Sequence, residues 1–538
     1  MKRNKNIILA SLLALAFSGC TDLDVKVESQ YTEYPNNEIA VEAKMADLYY
    51  HLRGVYGRRF MEAHAVSSDE YAGVSFDGGY IDNYIYSNQS FHNADNDDEC
   101  IDWYDDVEAG ITKANKIIIE LGGEENPATA SARAMRALFH FHLMDGWGDI
   151  PILDYIPEDG AEVKRQPRAK VAEFIAEELE EVYPLLTEEV SANTYGKPTR
   201  WMAQALLAKL YINWAVYTAT SVDLYDAATA QNDKLAACIA HCDDIINSRK
   251  FNLGSMEYRF KFSYNNGPHV EDFIYAMPYD AITQQGLQYQ RPRTYKNTKG
   301  MNPPYYGGSA FTQSCGGNMV LTPEFSGLIS LEGDQRNLCV LGANGPVYVY
   351  DPETLLPTST PFISKAGVQL VFTKEIKLVE GKDDKELDVG NDEEAYRQGY
   401  HSIKFFTRGE DYNNGRNQSN DLPIFRFADI LLMKAEAIVR GGGTGDAKSL
   451  FNQIRSYAKA PLLNSTPTLK DIYDERGREF LDENWRRNDM IRFGHFEDEY
   501  FPQYKSSPNA CFDKRHRIWP LHKDVMKVYP TWDQNPGY

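Results

Sequence analysis

Helical periodicity fills both ends of this 538-residue chain and is missing from a long stretch between them. Apolar residues recur at helical spacing from Glu38 to Leu52, then over 101–121, 127–145, 170–187, 199–218 and 231–248. Such spacing lines one face of a helix with core side chains. Short breaks such as Gly122-Gly123 separate the segments, so neighbours fold back as helical hairpins. Stacked hairpins of this kind resemble tetratricopeptide arrays in pattern, although the sequence signature of that repeat is absent. A loop rich in Gly, Asn, Asp and Tyr interrupts the first block over about 67–100. From about 250 to 424 Gly, Pro, Asn, Tyr and Thr dominate, with short apolar pieces such as Val347-Tyr348-Val349-Tyr350. That texture predicts long loops and small β-ribbons, and loops this long are usually functional. Helices return over 425–440, 445–458 and 470–485. The expected fold is mostly α. A tetratricopeptide-like scaffold of helical hairpins spans 38–250, carries a ligand-side loop and is completed by 425–538. A loop-rich, small-β second subdomain, 251–424, folds over it.

Met1-Lys2-Arg3-Asn4-Lys5 precede an apolar run from Ile7 to Phe17, and Ser18-Gly19-Cys20 follow. A basic start, a short apolar core and small residues describe a secretory signal peptide. The run is too short to cross a bilayer as a helix, which needs ~20 residues. A cut before cysteine resembles a bacterial lipobox, with Phe17 where that pattern prefers Leu. Residues 1–19 are read as a lipoprotein signal peptide, Cys20 as the acylated first residue, and 20–37 as a lipidated tether. An ordinary signal peptide with an incidental cysteine is the alternative.

Asp and Glu number 78 against 56 Lys and Arg, a formal net charge of -22. A surface of that sign repels nucleic-acid phosphates and disfavours polyanionic ligands. Beyond Cys20 the cysteines are Cys100, Cys238, Cys242, Cys315, Cys339 and Cys511. They are scattered, with no CxxC pair and no zinc-like cluster, so no disulfide framework or metal site is indicated. One or two long-range bridges stay open.

Signatures of catalysis are absent: there is no HExxH, GxSxG or phosphate-loop motif. Gly441-Gly442-Gly443-Thr444-Gly445 follows a helix and lacks the Lys-Ser/Thr of a phosphate loop, so it reads as a turn. His140 and His142 are two apart on a helix and face different sides. Asp95-Asn96-Asp97-Asp98-Glu99 lacks the glycine and distal glutamate of an EF-hand and reads as a solvated acidic loop. No cofactor is implied.

Several segments, in order from the lipobox to the last residue, resemble one family. They are Ser67-Ser68-Asp69-Glu70; Arg136-Ala137-Leu138-Phe139 with Gly146-Trp147-Gly148-Asp149-Ile150-Pro151; and Gly196-Lys197-Pro198-Thr199 leading into Ala205–Tyr211. Pro423–Ala437, Phe451-Asn452-Gln453-Ile454-Arg455, Glu475–Phe480, Arg486 and Asp489–Gly494 follow, and the chain closes on Gln534-Asn535-Pro536-Gly537-Tyr538. Together they resemble the SusD/RagB family of outer-membrane glycan-binding lipoproteins. Phe480-Leu481-Asp482-Glu483-Asn484 departs from the family pattern. Most of these motifs lie on scaffold helices, where charged residues such as Arg426 and Glu436 beside an apolar face tie helices together.

The resemblance implies a non-catalytic protein at the cell-surface face of the outer membrane, lipid-anchored at Cys20. It would capture an oligosaccharide and deliver it to a SusC-like TonB-dependent transporter. A surface glycoside hydrolase, or a peptide-binding lipoprotein of the same fold, are the rival readings. The resemblance also nominates a ligand set. Trp103, just before the helix at 104–121, is the expected main stacking platform. Tyr289, Tyr295, Tyr305 and Tyr306, in the loop before Asp334-Gln335-Arg336, add further rings, with Asn302 for hydroxyl contacts. Asp69 and Asp77 complete the set. Aromatic faces cover the C–H face of a sugar ring while polar groups take its hydroxyls.

Overall fold

A computed structural model describes residues 38–79, 101–254, 256–296, 311–364, 366–382, 387–498 and 513–538. The chain forms two compact units, Met1–Ala46 and Asp47–Tyr538. The leader, Cys20 and the tether lie outside the described residues, as do Cys100 and Cys511. Among the described residues no helix is long and apolar enough to cross a membrane.

The fold is mostly α. Its principal helices are α1 (Glu38–Tyr49), α2 (Phe60–Val66), α3 (Tyr104–Glu120), α4 (Ala130–Trp147), α5 (Arg168–Val182), α6 (Arg200–Ile212) and α7 (Leu235–Ser248). After the loop-rich stretch come α8 (Phe427–Val439), α9 (Ala447–Tyr457), α10 (Leu469–Glu479) and α11 (Arg486–Phe493). Two of them lie outside the segments that periodicity marks. Every residue of α2 is buried, so it has no polar face to alternate with. α11 buries Arg486, Arg487, Asp489 and Arg492, which inverts the usual hydropathy pattern.

Local signals set the helix ends. The Thr199 hydroxyl accepts from the Met202 N–H and caps α6. Thr468 and Asp471 form a reciprocal capping box at α10. Gly148, at φ 78°, stops α4 in a conformation that costs glycine little. Successive helices pack as neighbours: α3 on α4, α4 on α5, α6 on α7, α7 on α8 and α8 on α9.

The strands are short: β1 (Tyr71–Gly73), β2 (Phe273–Met277), β3 (Met319–Leu321), β4 (Val340–Leu341), β5 (Tyr348–Tyr350), β6 (Pro357–Pro361), β7 (His401–Ser402) and β8 (Leu422–Arg426). They pair antiparallel as β1–β3, β2–β8, β4–β7 and β5–β6. A two-stranded ribbon is marginal in water and needs packing against something else. Two of the ribbons tie the loop-rich stretch to the helical parts, and β4–β7 and β5–β6 lie within it. β1–β3 ties the segment after α2 into it, and β2–β8 sets Phe273 opposite Arg426 at the entry to α8. That stretch has its own core of Tyr295, Phe311, Phe362, Phe372, Phe406 and Tyr412.

Buried ion pairs join segments that are remote in sequence. Arg426 reaches Asp272 at 2.7 Å, Glu479 at 2.8 Å and Glu483 at 2.7 Å. Lys261 shares Asp272 at 2.8 Å, and Lys404 shares Glu483 at 2.6 Å. In a second network Asp429 meets Lys209 at 2.5 Å and Arg476 at 2.7 Å, while Arg492 pairs with Glu436 and Asp489. Charges taken out of water are costly unless they are paired, and each of these has an opposite charge beside it. Between α4 and α5, Arg133 and Arg136 both hold Glu178. The charged positions of the motifs therefore act as internal ties. Cys238, Cys242, Cys315 and Cys339 are buried free thiols.

Candidate functional site

Trp103 does not present a face to solvent. It is fully buried, with Phe60, Trp147 and Trp519 packed edge-on at 5.3, 4.6 and 5.7 Å between ring centroids. Gly146 makes room for this cluster. A Cβ there would stand 2.8 Å from the Trp519 ring. The expectation of a stacking platform at Trp103 is corrected: at the N-terminus of α3 the indole turns inward, where burying so large an apolar surface is most favourable.

Tyr289 and Tyr295 are likewise corrected to core positions. Tyr289 is fully buried, and its hydroxyl accepts from Asn484 Nδ2 at 2.8 Å. Tyr295 packs against Phe362 and Phe372 and donates to Glu393 at 2.8 Å. Asp69 is buried against Arg486, which leaves no carboxylate oxygen without a partner for a ligand. Asn302, Tyr305 and Tyr306 lie outside the described residues. Of the set that the structure describes, only Asp77 is exposed.

Asp77 belongs to a polar rim that sequence reasoning missed. Its backbone is left-handed, at φ 54°, an uncommon state for a residue with a Cβ. Asp388 explains how it is held. One carboxylate oxygen accepts from the Asp77 N–H at 3.2 Å and the Gly390 N–H at 2.7 Å. The other accepts from the Gly78 N–H at 3.1 Å and from Lys382 Nζ at 2.6 Å. Burial works against the Asp388 carboxylate, but Lys382 and these N–H groups outweigh it and hold its pKa below the ordinary value. Lys382 also reaches Asp77 at 3.1 Å.

Beside this turn, Phe76 meets the edge of the half-buried Tyr396 at 5.3 Å. Lys296 Nζ sits over both rings, 4.1 Å from the Phe76 centroid and 5.2 Å from that of Tyr396. Gly79 and Lys296 are the last described residues before 80–100 and 297–310. The described segments that end at Gly79 and Lys296 therefore meet at one place, a rim built of Phe76, Asp77, Lys296, Lys382, Asp388 and Tyr396. Only the turn chemistry of Asp77-Gly78-Gly79 hinted at it in the sequence; the partners from 382–396 come from a remote segment.

The remaining candidates for chemistry are structural. His140 donates from Nδ1 to the Arg136 carbonyl and accepts from the Leu153 N–H, whereas His142 meets the Tyr56 hydroxyl. Burial lowers both histidines to about 3, so they stay neutral. Gly441 and Gly442 form a turn where Gly442 packs against Leu235 of α7, with no room for a Cβ. Among the described residues no cluster of three or more His, Cys, Asp or Glu could hold a metal ion.

Residues 365–538 match the family model described as the SusD family, and residues 23–212 match one described as starch-binding, associating with the outer membrane. The starch-binding protein SusD of Bacteroides thetaiotaomicron is 31% identical over 133 residues, 24% of each chain. That match thus spans about a quarter of the relative's length. A SusD-like protein of Bacteroides ovatus is 22% identical over 91% of this chain and 82% of its own. Among solved structures, the surface glycan-binding protein A from Bacteroides thetaiotaomicron in complex with laminarihexaose superposes with a TM-score of 0.64. It is 18% identical, over 93% of this chain and 99% of that one, and it shares the fold. With both ends of the chain matched by family models and the fold shared across its length, the protein is a member of the SusD/RagB family.

Proposed function

We propose that the protein is a non-catalytic, cell-surface lipoprotein that captures an oligosaccharide and delivers it to a SusC-like TonB-dependent transporter of the outer membrane. The observation that carries this reading is the fold shared along almost the whole chain with a surface glycan-binding protein solved with laminarihexaose. Ligand is taken at the rim of Phe76, Asp77, Lys296, Lys382, Asp388 and Tyr396, and Asn302, Tyr305 and Tyr306 supply rings and hydroxyl contacts. The acylated Cys20 anchors the protein at the outer face of the outer membrane.

The rim favours binding over hydrolysis. A glycosidase acid needs a raised pKa. Asp388 is held low by Lys382 and backbone N–H groups instead.

Delivery is tested by a mild-detergent pull-down of the tagged native protein. Co-purification of a TonB-dependent transporter supports the reading. Recovery of the lipoprotein alone from intact outer membranes contradicts it. Anchoring is tested by Cys20→Ala, which should release soluble protein or block maturation.

A further inference from the structure

A cavity of about 630 Å³ opens on the helical scaffold, built from residues that take no part in the rim. Its volume falls within the ~300–1,000 Å³ typical of small-molecule sites. Three separate stretches wall it: the 189–199 loop before α6, the end of α7 with 249–252, and 268–274 running into β2. Apolar rings form part of the wall, with Phe251 and Phe273 buried and Tyr195 half-buried.

The polar lining is balanced. Glu189 and Glu271 stand against Arg249 and Lys250, so the cavity has no net charge. An anion would meet the two acids, and a cation the two bases. A neutral, polyhydroxylated ligand can use both donors and acceptors while its C–H face lies on a ring. Arg249 and Glu271 line the same cavity with exposed side chains, open to a ligand. Ser191 and Thr194 add hydroxyls.

The backbone is bent to make this wall. Arg249 ends α7 in the left-handed region at φ 57°, where glycine or asparagine is usual. The turn sets four consecutive residues, Arg249 to Asn252, along the cavity. Strain of this kind persists where surrounding structure over-determines it, and it gathers at binding sites.

We propose that this cavity is a second carbohydrate site, taking a short neutral oligosaccharide, with Arg249 and Glu271 gripping hydroxyls from opposite signs of charge and Tyr195 offering the stacking ring. The proposal rests on the glycan-capture reading above. A second foothold on the scaffold would raise avidity for a long chain by making the second contact intramolecular.

The test titrates the full mature protein with neutral hexasaccharides of β-1,3-glucan, α-1,4-glucan and β-mannan, and counts bound sugars by calorimetry and native mass spectrometry. Two variants separate the sites: Arg249→Ala/Glu271→Ala, whose side chains are exposed, and Tyr305→Ala/Tyr306→Ala. The expected result is two bound sugars per chain for at least one hexasaccharide. The first variant loses one of them, weakened by at least about tenfold, at an unchanged melting temperature, and the second variant loses the other. A single bound sugar indifferent to Arg249→Ala/Glu271→Ala overturns the second site and leaves capture standing. Binding of none of the three overturns capture and this proposal together.

Discussion

Arg486 closes on Asp69 through two bonds, Nε to Oδ1 at 2.6 Å and Nη2 to Oδ2 at 2.7 Å, across 417 positions of sequence. The same guanidinium lies over the Tyr473 ring at 3.8 Å and donates to the Tyr473 carbonyl. One arginine thus binds the segment between α2 and β1 to α10 and α11. That segment leads directly into the rim, so the fork fixes the base on which the ligand face is built.

Asp69→Ala is therefore a stability variant. Removing one partner of a buried pair leaves an uncompensated charge, at a cost of about 3–5 kcal/mol. Urea denaturation should show the midpoint falling by a corresponding amount. Asp77→Ala, at an exposed position, should lower the midpoint far less, by the roughly 1 kcal/mol that alanine costs in a left-handed backbone. Equal midpoints for wild type and Asp69→Ala would contradict the assignment.

Trp103→Ala should also act on stability. Emptying a buried tryptophan position costs about 3–5 kcal/mol, a large part of the ~5–15 kcal/mol that holds a typical domain together. The expected outcome is a marked fall in melting temperature, or insoluble protein. A variant that melts like wild type but binds sugar less well would restore Trp103 to the ligand face.

The contrast between these residues shows what could be read from sequence. The helices of the scaffold other than α2 and α11, the turn at Gly441–Gly445 and the opposed faces of His140 and His142 follow from local spacing, and local spacing survives folding. The motif arginines were legible as ties between helices, although not their partners. Arg426 meets Asp272, Glu479 and Glu483, and no periodicity links those positions. Trp103, Tyr289 and Tyr295 misled because an aromatic beside a polar loop looks the same whether its ring turns out or in. The direction is decided by Gly146, Trp147 and Trp519 for one, and by Asn484 and Glu393 for the others, all distant in sequence. The rim was hidden for the same reason: Lys382, Asp388 and Tyr396 stand some 300 residues from Asp77.

Two buried carboxyls set a pH dependence. Burial pushes Asp421 up to about 7, against the Tyr279 N–H, the Tyr195 hydroxyl and Arg53, which pull it down. Burial pushes Glu108 up to about 7 as well, against the Tyr529 hydroxyl. Each folded-state value lies above the unfolded one, so folding takes up a proton. The stability they contribute is complete below the ordinary carboxylate value of ~4 and is lost as pH rises through about 7. Buried neutral histidines such as His64 and His140, lowered to about 3, work in the opposite direction. The readout is therefore the difference between wild type and variant. Asp421→Asn and Glu108→Gln should each gain on wild type between pH 5 and pH 8 in urea denaturation. A difference constant across that range would contradict the assignment.

The most direct measurement is a calorimetric titration of the purified mature protein with neutral oligosaccharides, followed by chromatography of the same sugar after prolonged incubation. The account predicts saturable binding, with a Kd between roughly millimolar and micromolar, ~4–8 kcal/mol, and a sugar recovered at unchanged chain length. Shortened products that disappear on a single carboxylate substitution would contradict it.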